Sequence, residues 1–107
     1  MKLRKTTVTV ALSAYNEEQN ILDFLQSVLN QEEDGFVLEK IIVVSDGSTD
    51  QTVQKTKSLK SSKIKVKEYK KRIGKSTRLN EIYKSLTSDI LVQSDADAIF
   101  AHPYVIR

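Results

Sequence analysis

Residues 41–52 read Ile41-Ile42-Val43-Val44-Ser45-Asp46-Gly47-Ser48-Thr49-Asp50-Gln51-Thr52, and the change of character inside this stretch decides the fold. Four β-branched residues in a row have no polar alternation, as a strand covered on both faces requires. Asp46-Gly47 then supplies turn chemistry, and Ser48, Thr49 and Asp50 are good helix-capping types. A doubly covered strand that runs straight into a helix start belongs to a parallel sheet flanked by helices.

The same unit recurs on either side. Upstream, Val8-Thr9-Val10-Ala11-Leu12 alternates as a strand, and Asn16 is a candidate cap for the helix that follows. Ile21, Leu25, Val28 and Leu29 carry that helix's apolar stripe, and Asp34-Gly35 closes it. Downstream, 51–59 reads as a polar surface helix anchored by Val53 and Leu59. Ile64 to Tyr69 alternates with lysine, as an edge strand does. A basic loop covers 70–75. Leu79, Ile82, Tyr83 and Leu86 fall at helical spacing, and Ile90-Leu91-Val92 is predicted as a short buried strand. Pro103 suits the first turn of another helix, and His102, beside it, is read as a surface or capping residue. Right-handed crossovers then give an α/β, Rossmann-like, doubly wound, mostly parallel four-stranded sheet with helices on both faces.

The chain has 107 residues, 39% hydrophobic and 29% charged, with no cysteine and a net charge of +3. That composition excludes a disordered chain and a disulfide-stapled module. No apolar run is long enough to span a bilayer, and lack of cysteine suits a reducing cytosol. The charge is polarised. Ten of the seventeen Lys and Arg residues lie between Lys55 and Lys75 with Glu68 as the only acid among them, whereas seven of the fourteen acids lie between Glu17 and Glu39. The basic stretch is either a solvated edge or the place where an anion binds.

Ligands of open parallel sheets bind beyond the carboxyl ends of the strands. Asn16-Glu17, Asp46-Gly47-Ser48, the 70–75 loop and Asp95-Ala96-Asp97 each follow a strand. Acids that meet ribose hydroxyls, base edges or a metal, together with cations that meet phosphate, suit a nucleotide. Asp95 and Asp97 lie two apart in extended chain and so point the same way. Two hard carboxylates suit Mg²⁺ or Mn²⁺, which takes its other ligands from water and phosphate. The plainer alternative has one Asp capping a turn and the other solvated, and turn chemistry alone could account for Asp46. Gly74-Lys75-Ser76 ends like a P-loop, but Tyr69 occupies the position where that motif needs glycine.

These residues resemble glycosyltransferase family 2. Val10 to Glu18 is similar to its opening strand and loop, 41–52 to its second motif, Gly74-Lys75 with Asn80 to its third, and Val92 to Asp97 to its metal-associated D-x-D. The resemblance implies a GT-A fold, a nucleotide-diphosphate sugar donor and an inverting transfer to an acceptor hydroxyl of unspecified nature, whether glycan, lipid or other. It implies that Ala14, Tyr15 and Glu17 line the base and ribose pocket and that Asp46 contacts the nucleobase. Lys75 would lie near the nucleotide, Asp95 would face the ribose or sugar, and Asp97, with Asp95, would bind the metal. Ala14 stands where proline is usual, Ser45 where a first Asp is frequent and Ser76 where glycine is common. No residue matches the catalytic base, so 1–107 is expected to be the nucleotide-sugar-binding half without the acceptor-binding half. The alternatives are a nucleic-acid-binding module on the Lys55–Lys75 stretch, disfavoured because only Tyr69 interleaves its lysines, and an inactive nucleotide-binding remnant. A cytoplasmic location is expected, with membrane attachment only through further C-terminal sequence, and an unfinished sheet edge suits self-association.

Overall fold

A computed structural model describes residues 5–31, 33, 35–84 and 86–94. The chain order is β1 (Thr6–Ala14), α1 (Ile21–Leu29), β2 (Phe36–Asp46), α2 (Thr52–Ser58), β3 (Ile64–Tyr69), α3 (Lys75–Lys84) and β4 (Ile90–Gln93). All strand pairs are parallel and the sheet order is β3-β2-β1-β4, the doubly wound arrangement expected.

The two apolar faces follow from strand alternation. Val8, Val10, Leu12 and Ala14 of β1 and Leu38, Ile41 and Val43 of β2 pack against Ile21, Phe24, Leu25 and Val28 of α1. Ala11, Ile42 and Val44 face the other way, toward Leu79 and Ile82 of α3. Helix α2 lies beside α1 and over β3. The unbroken apolar run 41–44 thus exists because α1 and α3 cover opposite faces of β2.

The strands and helices differ from expectation in places. Strand β2 begins five residues earlier than the β-branched run, because a register shift between Val8 and Thr9 on β1 breaks the alternation of Phe36 and Leu38. Asn16 does not cap α1. The helix starts at Ile21 with Asn20 in the cap position, and Asn16 is engaged elsewhere. Strand β4 is an edge of the described sheet rather than a buried strand: Ile90 is 47% exposed. Helix α3 ends at Lys84, two residues short of Leu86, and Tyr83 is exposed. Asp34, His102 and Pro103, with the helix expected after Pro103, lie outside the described residues.

Gly47, just past β2, has φ +79°, and a Cβ built there would lie 2.8 Å from the backbone nitrogen of Arg72. The β3–α3 loop therefore rests directly on the end of β2 only because residue 47 has no side chain. Gly35 has a similar φ of +83° but open space around it. Gly35→Ala should lose about 1 kcal/mol of unfolding free energy from the left-handed backbone alone. Gly47→Ala should lose clearly more, because the loop must also move. Urea unfolding of both variants tests this, and equal losses would show that the loop contact constrains nothing.

Candidate functional site

The carboxyl ends of β1, β2 and β3 meet on one rim, joined by two sets of side-chain hydrogen bonds. The first joins the β1–α1 loop to the β2–α2 loop. Asn16 sits in the left-handed region at φ 52°, a conformation asparagine tolerates better than most residues. Its Oδ1 accepts from the N–H groups of Thr49 (2.8 Å) and Asp50 (3.3 Å). Its own N–H donates to Ser48 Oγ at 3.2 Å. The N–H groups of Glu17 and Glu18 donate to Thr52 Oγ1 (2.9 Å) and Asp50 Oδ2 (3.2 Å). Glu18 Oε2 accepts from Gln51 N–H at 3.2 Å, and Lys55 Nζ donates to the Glu18 carbonyl at 2.9 Å. Burial pushes the Asp50 carboxyl up, but hydrogen bonds from the Thr52 hydroxyl, the Thr52 and Glu18 amides and its own amide outweigh it and hold the group below the usual carboxylate range.

The second set joins β2 to the β3–α3 loop. Asp46 is 2% exposed. Its Oδ1 accepts from Ile73 N–H and from Arg78 Nε, and its Oδ2 from Gly74 N–H, each at 2.9 Å. Arg78 is itself buried, at 4% exposure. Its guanidinium stacks 3.7 Å over the Tyr69 ring, donates from Nη2 to the Lys71 carbonyl at 2.6 Å and lies 3.5 Å from Glu81. Tyr69 Oη donates to Glu81 Oε2 at 3.0 Å. That bond to Glu81, then burial and the Glu81 charge, push the phenol above its usual value against the opposing charge of Arg78. For Asp46, burial acts upward, while the Ile73 and Gly74 amides and then Arg78 more than reverse it, so the carboxyl is held below the ordinary range.

The loop so held carries Arg72, whose guanidinium carbon lies 3.9 Å from the centroid of the Tyr15 ring on the β1–α1 loop. The rim is thereby closed from β1 across β2 to the loop after β3. Of the residues singled out by sequence, Ala14 is buried at the end of β1, Tyr15 is 37% exposed, and Glu17 is half-buried with its Oε2 accepting from Asn20 Nδ2 at 3.1 Å. Lys75 is exposed at the first position of α3. Strand β4 ends at Gln93 beside Ala11, with Ser94 N–H donating to the Ala11 carbonyl at 3.1 Å. Asp95 and Asp97 lie outside the described residues. Among the described residues no group of three His, Cys, Asp or Glu could hold a metal ion. A cleft of about 160 Å³ lined by Lys57, Lys60 and Ile64 lies at the other rim, where β3 begins, away from every motif residue.

The expected nucleobase contact, Asp46, is thus already engaged by three protein donors. Arg72 and Arg78 complete the rim, but no pattern singles them out: Arg72 is one cation in a basic run, and Arg78 is one of many polar residues in α3.

Comparison with known proteins adds an independent line. The family model "Glycosyl transferase family 2" matches residues 9–106. The poly-beta-1,6-N-acetyl-D-glucosamine synthase of Staphylococcus epidermidis is 30% identical over 93 residues, which is 86% of this chain and 22% of that protein. Among solved structures, the mannosyltransferase PcManGT from Pyrobaculum calidifontis, in complex with GDP-Man and Mn²⁺, aligns with a TM-score of 0.80 at 27% identity, covering 94% of this chain and 30% of that one. Glucosyl-3-phosphoglycerate synthase from Mycobacterium tuberculosis, in complex with Mn²⁺, UDP and glucosyl-3-phosphoglycerate, aligns with a TM-score of 0.73 at 30% identity, over 92% of this chain and 36% of that one. The chain spans between about a fifth and a third of the length of these proteins.

Asp46→Asn should leave Arg78 buried without its main counter-charge, for a loss of roughly 3–5 kcal/mol, toward the lower end because Glu81 remains nearby. The pH dependence has a definite sign. A carboxyl depressed on folding stabilises above its unfolded pKa, and that contribution disappears as pH falls through the folded value. In the parent chain, stability carried by Asp46 is therefore fully present at neutral pH and lost below about pH 4. The variant should lose less on acidification over that range, measured by urea midpoints between pH 2 and 7. Parallel acid profiles would show that Asp46 is not held charged.

Proposed function

Because the chain belongs to glycosyl transferase family 2, we propose that it forms the donor-nucleotide site of a sugar transferase. The observation that carries this reading is the joining of three strand-end loops on one rim by Asn16 and Asp46, at the sheet edge where doubly wound folds take nucleotides. The solved relatives point the same way, since their complexes hold GDP-Man, UDP and Mn²⁺. Ala14, Tyr15 and Glu17 then flank the base and ribose, and Lys75, at the first turn of α3, faces the diphosphate.

In this reading a divalent ion, Mg²⁺ or Mn²⁺, is the task of Asp95 and Asp97. Their hard oxygen donors suit such an ion, and the described residues offer no competing set. When bound, the ion would neutralise the leaving diphosphate. Asp46 serves chiefly as the anchor of the β3–α3 loop, with at most one acceptor position left for a base edge. Inverting displacement needs a base on the acceptor hydroxyl, and we assign that role to no residue of this chain.

The reading is tested by ¹H–¹⁵N NMR titration of the chain with UDP and with GDP, each with Mg²⁺. One of the two should shift the Ala14, Tyr15, Glu17 and Lys75 amides at up to millimolar concentration, and Asp97→Asn should remove the dependence on Mg²⁺. No shift with either nucleotide would overturn the assignment. Shifts confined to the lysines of β3 that vanish with added salt would instead mark a non-specific polyanion surface.

A further inference from the structure

We infer that Arg72 binds the diphosphate of the donor, and that the buried Asp46–Arg78 pair positions it. The inference rests on the donor-site reading above and adds to it a residue that no sequence motif marks.

A buried ion pair is a costly device, since both ions lose hydration. Here its partners all lie in one short stretch. Asp46 holds the amides of Ile73 and Gly74, and Arg78 holds the carbonyl of Lys71. Those three bonds flank residue 72 on both sides. The backbone of Arg72 also rests on Gly47, where no side chain would fit. Residue 72 is thus fixed more firmly than an exposed loop position ordinarily is.

Its side chain is fixed as well. The guanidinium stacks on Tyr15 and makes no hydrogen bond among the described residues. A stacked guanidinium has one face on the ring, while its N–H donors lie in the plane and stay available. That planar fork matches phosphate oxygens in pairs, which an ammonium does not. Ordering Arg72 beforehand also removes much of the side-chain entropy that an anion would otherwise have to overcome. Tyr15 places the group at the end of β1, on the rim where the base and ribose are assigned.

The test uses whichever of UDP or GDP the chain binds more tightly, with the matching nucleoside and monophosphate, in Mg²⁺. Arg72→Gln should weaken the diphosphate at least tenfold and the nucleoside less than twofold, with the monophosphate between. Arg72→Lys, which keeps the charge but lacks the fork, should recover only part of the loss. The ¹H–¹⁵N spectrum confirms that each variant is folded. An equal effect on nucleoside and diphosphate would make Arg72 a wall of the base pocket and overturn the inference, as would unchanged diphosphate binding. In both cases the donor-site reading survives. A parent chain that binds neither nucleotide overturns the reading and the inference together.

Discussion

Asp46 and Arg78 stand 2.9 Å apart, almost wholly removed from solvent, and the rim is organised around them. Neither ion is compensated by the other alone. The carboxylate also takes two backbone amides, and the guanidinium a carbonyl and an aromatic face. Burial of charge is tolerated when each remaining donor and acceptor has a partner. The pair adds little net stability relative to apolar side chains of the same shape, so its value lies in what it fixes. It fixes one loop, at one height, against the end of one strand.

The two sets of bonds at the rim divide the work. The Asn16 set consists of neutral and singly charged hydrogen bonds between two loops, and it makes the β1–α1 and β2–α2 connections a single unit. The Asp46 set is ionic and buried, and it ties that unit to the loop after β3. The sheet below is rigid because α1 and α3 cover opposite faces of β1 and β2. Function-bearing loops held by such a scaffold keep their geometry without being part of the core. Asn16 in the left-handed region and Gly47 at a backbone contact mark the two places where ordinary residues would not fit.

The fold was legible because apolar alternation reports burial. Ile41 to Val44 announced a strand covered twice, and the Leu79/Ile82 spacing announced the helix covering it. The strand and helix ends were less legible. Phe36 and Leu38 belong to β2, yet a register shift separates them from the apolar run, and period-2 reading stops at such a shift. Asn16 looked like a cap because caps and loop bridges draw on the same residue types, and only the position of a second loop distinguishes them. Asp46 was found by its place after a buried strand, but its partners lie 27 to 32 residues away. No local pattern encodes an ion pair between a strand end and a helix, and so Arg78 was invisible.

Acids and cations share the rim. Glu17, Glu18, Asp46 and Asp50 are four acids at or just past the ends of β1 and β2. Each accepts a hydrogen bond from a protein N–H group. These bonds orient the carboxylates and leave their charge in place, since a neutral N–H donor favours the ionised form without neutralising it. Beside these acids the described rim offers donors, among them the Arg72 fork. In the donor-site reading, a divalent ion falls to Asp95 and Asp97, because the described residues hold no group of three His, Cys, Asp or Glu that could bind one. Anion recognition and metal recognition would therefore sit on different strands of the same edge, the first after β3 and the second after β4.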